Sequence, residues 1–163
     1  MNKPILVIGA LLVAGLVCWA VAALIPDETR IRWLIGNAVE SFNSGRASAC
    51  LADFADDYVD ETSRLKKVEI VAYLRVIFIS RQNHKDGRFR YPVTIPDDGL
   101  RVEVTAGEPA CARIEARVLF HEIGKEDDPA LWEIDVEAEL SKESGAWQVK
   151  LGRFRNVSGK LPF

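Results

Sequence analysis

Val39–Glu61 reads VESFNSGRASACLADFADDYVDE, and three residues later Leu65–Phe78 reads LKKVEIVAYLRVIF. Working back from Phe42, the residues Ile31, Leu34, Ile35, Ala38 and Val39 fall at helical spacing on one stripe. They predict a helix over Asp27–Asn43. Asp27 can cap its start, Glu28 is favourable in the first turn, and Gly45 can end it in the left-handed conformation. A second, shorter helix is expected over Ala47–Phe54, turning Leu51 and Phe54 inward. Asp56–Glu61 reads as a turn plus a short extended piece around Tyr58 and Val59. A third helix is expected over Lys66–Gln82. Its apolar residues Val68, Ile70, Val71, Leu74, Ile77, Phe78 and Ile79 cover a broad face, which predicts deep burial.

Past the turn Lys85-Asp86-Gly87 the pattern changes from helical to alternating. Phe89–Ile95 is a strand interrupted by Pro92, and Leu100–Thr105 follows the turn at Pro96–Gly99. Three longer strands close the chain. The first is Ala110–Ile123, with Ala112, Ile114, Ala116, Val118 and Phe120 on one face. The second is Trp132–Leu140, with Trp132, Ile134, Val136, Ala138 and Leu140 on one face. The third is Ala146–Leu151, with Trp147, Val149 and Leu151 on one face. Short loops between alternating strands make an antiparallel meander. Helices first and strands after argue an α+β domain, three helices covering the apolar face of a curved antiparallel sheet in the order α-α-β-α-β-β-β-β.

The parity of those strands sorts the chemistry. The inward positions hold neither acid, base nor nucleophile. The other face holds Arg113, Glu115, Arg117, Glu133, Asp135, Glu137, Glu139, Gln148 and Lys150. It reads as a solvated face with cross-strand ion pairs, or as a polar docking surface. His121 follows Phe120 and is expected to face outward; His84 falls in a loop.

Upstream of the domain, Ile5–Ile25 (ILVIGALLVAGLVCWAVAALI) carries no charge. As a helix it would be roughly 31 Å long, against a hydrocarbon core of about 30 Å. Pro26, Asp27 and Glu28 close it. Lys3 and the amino terminus precede it, which keeps the tail cytoplasmic and sends the domain outward. The competing reading is a cleaved signal peptide with a small-x-small site at Ala20-Val21-Ala22. Both export the domain to the periplasmic or extracellular side of the cell membrane. Residues 1–26 are thus read as anchor or uncleaved signal, 27–156 as the domain and 157–163 as a tail.

The chain has 163 residues, a net charge of −3 and two histidines, so neither nucleic-acid binding nor a zinc or iron–sulfur site is expected. No Cys-x-x-Cys, phosphate loop, Gly-x-Ser-x-Gly or His-Glu-x-x-His occurs, and no cofactor is implied. Cys50 and Cys111 could form one disulfide in an oxidising compartment; the alternative is two small packed side chains.

Taken together, Val39–Glu61, Leu65–Phe78 and the closing strands with Trp132 and Trp147 resemble the nuclear transport factor 2-like superfamily, also called cystatin-like or SnoaL-like. Its members often show a helix ending in Phe-Asn-x-Gly, a short helix, an acidic turn with an aromatic strand residue, and a third helix. The resemblance spans Arg30–Phe154. It implies a cone, a curved sheet wrapped on helices, often with a pocket at the wide end. Family members include isomerases, dehydratases, epoxide hydrolases, transport adaptors and domains exported behind a single membrane helix. Isomerases of the family use a carboxylate base and an oxyanion hole, and those positions do not map here. Tyr58, Tyr73, Trp132 and Trp147 are the expected ligand-pocket residues, with Asp53 and Asp57 at the mouth. The expectation is an anchored, non-catalytic binding or assembly module with an apolar pocket; its partners would be the bilayer through Ile5–Ile25 and a membrane protein or apolar small ligand. The alternative is a small-molecule isomerase, dehydratase or hydrolase.

Overall fold

The computed structural model describes residues 24–81, 88–125 and 127–162. Most of Ile5–Ile25, with Cys18 and Trp19, and the turn with His84 lie outside the described residues. Among those described, no helix is long and apolar enough to cross a membrane.

Helix α1 spans Asp27–Asn43 and α2 spans Ala47–Cys50; strand β1 is Phe54–Asp60 and α3 is Lys67–Ser80. The remaining strands are β2 (Val93–Thr94), β3 (Leu100–Thr105), β4 (Cys111–Phe120), β5 (Trp132–Glu143) and β6 (Ala146–Gly159). The sheet order is β1-β6-β5-β4-β2, with β3 also paired to β4.

The α+β arrangement stands, although five strands rather than four follow α3, and four further corrections apply. The sheet is mixed, because β1 runs parallel to β6. β1 reaches that edge from α2 rather than through a hairpin, so nothing forces it antiparallel. The second helix stops at Cys50, and the strand already begins at Phe54. The strand expected over Phe89–Ile95 shrinks to Val93–Thr94: Pro92 offers no N–H, and Phe89 turns into the core. The last strand extends to Gly159, so Val157–Gly159 is paired sheet rather than free tail.

Two register shifts in the β5–β6 pair decide which residues face the helices. Leu140 sits opposite Val149, but Glu139 sits opposite Leu151. One extra residue on β6 flips its parity. Leu151 therefore joins the charged face, contrary to the simple alternation, and Gly152, Phe154 and Asn156 take the inner positions.

The quoted motif Phe42-Asn43-Ser44-Gly45 locks helices to sheet. Phe42 meets the rings of Phe78, Phe89 and Phe120 edge-on at 5.2, 5.2 and 6.0 Å. Gly45 has φ +67 and packs its open side on Phe78, 3.8 Å from where a Cβ would stand. Asn43 clamps β2: its Nδ2 donates to the Val93 carbonyl at 2.9 Å, and its Oδ1 accepts from the Val93 N–H at 2.7 Å. Asn43→Ala leaves both groups of a buried residue without partners and is expected to cost about 2 kcal/mol. Asn43→Asp keeps the acceptor, loses the donor, and should fall between. Thermal melts of the two variants check the order.

Asp27 does not cap α1; the cap position is Pro26. The Asp27 carboxylate instead reaches the β5–β6 hairpin, accepting from Lys142 Nζ at 2.7 Å and Trp147 Nε1 at 3.1 Å. The hydrogen bond from Lys142, above all, holds its pKa below the ordinary carboxylate value.

Candidate functional site

The inner positions of β4 and β5 are apolar, and they pack against helices in contiguous clusters. Ile31 of α1 joins Tyr58, Ala112, Ile114, Ala116, Leu140, Trp147 and Val149. Phe78 and Phe89 gather Ala47, Cys50 and Leu51. Val93, Phe120 and Ile134 collect Val39, Phe42 and Trp132.

The four expected pocket residues do not converge. Tyr58 is buried in the first cluster, ring against Phe54 at 4.7 Å. Burial pushes its phenol up to about 12. Trp147 is buried beside it, with the Lys142 ammonium 5.8 Å from its ring. Trp132 is half-buried at the opposite end, stacked on Phe120 at 4.7 Å and donating its indole N–H to Asn156 Oδ1 at 2.7 Å. Tyr73 sits on the outward side of α3, 59% exposed, and lines nothing internal. Asp53 and Asp57 are exposed, and Asp57 pairs with Lys150 at 3.3 Å.

Cys50 and Cys111 are both free, so the disulfide is not formed. Cys50 is packed in the helix-side cluster and donates to the Arg46 carbonyl at 3.3 Å, while Cys111 opens β4 in solvent. Burial pushes the Cys50 thiol up to about 11, away from reactive thiolate.

His121 is the residue that strand parity misplaced. It is buried, because β4 ends one residue before it and the β2 segment folds over it. Its N–H donates to the Pro92 carbonyl at 3.0 Å, and its Nε2 lies 3.3 Å from Thr94 Oγ1. Its Nδ1 has no partner. Asp60 is a buried acid. It accepts from the N–H groups of Thr62 and Ser63 and from the Ser63 hydroxyl, closing the turn after β1.

A cavity of about 560 Å³ lies on the charged face instead. Pro96, Asp98 and Gly99 of the turn before β3 form one wall; Arg101, Arg117, Asp135, Glu137 and Arg155 form its floor and far side. None of the four expected pocket residues lines it. The carboxylates on its floor are ion-paired. Asp135 is held between Arg117 at 2.9 Å and Arg155 at 2.7 Å. Glu137 is held between Arg113 at 2.7 Å and Arg153 at 2.6 Å. Hydrogen bonds, first from Arg155 to Asp135 and from Arg153 to Glu137, lower both pKa values. A general base works best with a pKa near the operating pH, so these shifts run the wrong way for proton abstraction. Paired guanidinium and carboxylate groups of both signs instead suit a polar docking surface. Among the described residues, no group of three or more His, Cys, Asp or Glu is placed to hold a metal ion.

No protein-family model matches the chain, and no curated protein matches it. Solved structures do. One is a protein of unknown function with a cystatin-like fold from Nostoc punctiforme PCC 73102. It is 16% identical over 83% of this chain and 94% of its own, with a TM-score of 0.61. Another is a nuclear transport factor 2-like protein with a cystatin-like fold from Novosphingobium aromaticivorans. It is 12% identical over 88% of this chain and 90% of its own, with a TM-score of 0.62. A nuclear transport factor 2-like protein from Cytophaga hutchinsonii is 10% identical over 82% of this chain and its whole length, with a TM-score of 0.58. At these identities the likeness carries the fold and leaves activity open.

Proposed function

We propose that this chain is a membrane-anchored, exported domain that serves as a non-catalytic binding or assembly module. The observation that carries the reading is the uncharged run Ile5–Ile25, long enough to span and followed at once by a folded domain starting at Asp27. The state of the ionisable groups supports the second half. Asp135 and Glu137 of the charged-face cavity are ion-paired, and Asp60 is spent on a turn. The bound partner would be a membrane protein or an apolar small ligand. The charged face offers matched pairs that a polar partner surface can share.

Alkaline washing and mild-detergent purification test this together. The chain should stay with the bilayer through the wash and emerge from detergent with a protein or lipid bound. Release by the wash overturns the anchor. Emergence alone, with nothing bound, overturns the module.

One observation favours an isomerase, dehydratase or hydrolase instead: the unpartnered Nδ1 of His121. That reading needs a substrate route to a ring only 7% exposed.

A further inference from the structure

Helix α3 has two apolar faces where the fold uses one. Ile70, Val71, Leu74, Ile77 and Phe78 pack into the core. Val68, Ala72, Val76 and Ile79 recur at i, i+4, i+8 and i+11 on the opposite side, with Tyr73 beside them. Val68 is 71% exposed, Val76 66% and Ile79 76%. The sequence pattern predicts deep burial of this helix, and the fold leaves half of that apolar surface uncovered. A contiguous patch of this kind marks a contact with a partner or a membrane.

Charge distinguishes among the occupants. Between Arg64 and Arg81 the chain carries five basic residues and a single acidic one, although its net charge is −3. Arg64, Lys66 and Arg81 are exposed at the two ends of the stripe. The one acid, Glu69, is turned back to accept from the Lys66 N–H at 2.8 Å. An apolar stripe with a cationic rim is the surface chemistry of a helix lying in an anionic headgroup layer. A second copy of the same helix would bring cation onto cation.

The short stretch leading into α1 supplies the third argument. Leu24 is helical, Ile25 bends, Pro26 is extended with φ −57 and ψ 143, and α1 begins at Asp27. The described chain therefore bends at Ile25 and enters α1 directly after Pro26. Asp27 is bonded to Lys142 and Trp147, so the junction is fixed to the sheet. Ile70 shares a cluster with Ile31 near the start of α1, and Phe78 meets Phe42 near its end. So the core side of α3 packs toward α1, and the stripe lies on its other side.

We propose that the α3 stripe of Val68, Ala72, Tyr73, Val76 and Ile79 lies in the headgroup region of the same anionic bilayer that the anchor crosses, holding the charged sheet face toward solvent. The proposal rests on the anchored reading, and its test separates the two.

The full chain carrying Cys18→Ala and Cys111→Ser is labelled with an environment-sensitive fluorophore at Val76→Cys. A second sample carries the label at Glu139→Cys on the charged face. Buried Cys50 stays unlabelled, as the parent without either new cysteine verifies. Both samples are reconstituted in phosphatidylcholine–phosphatidylglycerol vesicles with and without nitroxide-bearing lipid. The label at position 76 should be blue-shifted and quenched roughly twofold by the nitroxide lipid, and the label at 139 should be unaffected. Equal response at both positions overturns the contact. So does a blue shift without lipid quenching, which would mean that residues 5–24 or another protein segment cover the stripe. Disulfide-linked dimers of the unlabelled Val76→Cys chain would assign the stripe to a second copy and overturn it too. An alkaline wash of the same vesicles reads the anchor independently. Retained chain with an unquenched label sinks only the α3 contact; released chain sinks the anchor.

Discussion

Replacing Phe89 by Ala is expected to cost about 3–5 kcal/mol, the range for truncating a fully buried aromatic ring. Phe89 is 1% exposed and belongs to no long strand, so its side chain, not its backbone pairing, holds the segment between α3 and β2. Its ring meets Phe42 at 5.2 Å, Phe78 at 4.9 Å and Tyr91 at 6.0 Å. Those neighbours come from α1, α3 and the chain leading into β2. Each edge-to-face contact adds about 0.5–1.5 kcal/mol beyond area burial, and the residual cavity cannot collapse, because its walls are pinned by separate elements. Domains of this size hold only about 5–15 kcal/mol in total. A thermal melt should therefore fall by about 10 °C or more. A shift within about 2 °C would show that the aromatic cluster is not the joint between helices and sheet. Phe89→Leu, which keeps most of the volume, should recover more than half of the loss.

Much of this joint is legible in the amino-acid order. The stripe ending at Phe42, the Asn43 that follows and the terminating Gly45 all sit where spacing places them. The alternation of β4 and β5 also separates the inner apolar residues from the Arg and Glu ladder correctly. Local pattern fails where the deciding partner is remote. A two-residue periodicity says nothing about an extra residue, so the β6 bulge and the turnover of Leu151 are invisible to it. Parity likewise places His121 outward, but parity ends with the strand, and what covers His121 is the distant Pro92–Thr94 segment. For α3 the failure is of another kind. Its all-round apolar character is plain in the sequence, and burial is the wrong inference from it, since hydrophobicity does not say whether protein or lipid does the covering. The candidate cavity on the charged face leaves no signal of its own. It arises from the turn at Pro96–Gly99 standing over a sheet whose charges pair across three strands.

Gly152→Ala is expected to cost about 3 kcal/mol, the upper end of the usual overpacking range, although alanine in an ordinary strand position would be worth about 0.5–1 kcal/mol in its favour. The sign is reversed by one neighbour. A Cβ on Gly152 would overlap the Tyr58 hydroxyl oxygen and stand 3.3 Å from the ring carbon that bears it. Tyr58 cannot swing away, because its ring is packed on Phe54 and buried among Ile31, Trp147 and Val149. Gly152 lies where the β6 bulge returns the strand to its inner parity, opposite Ala138 and beside Asp60 of β1. The glycine is thus the space into which the buried phenol fits, and bulge, glycine and tyrosine form one unit. A double-mutant cycle isolates that unit. Tyr58→Phe removes the overlapping oxygen and leaves the nearest atom at 3.3 Å, which a small adjustment accommodates. Tyr58→Phe made in the Gly152→Ala background should therefore recover about 1–2 kcal/mol relative to the simple sum of the two single changes. Melting curves of the four proteins measure this. Additive effects would mean that the alanine is resisted by the backbone rather than by Tyr58, and that the inner parity of β6 at residue 152 is wrong.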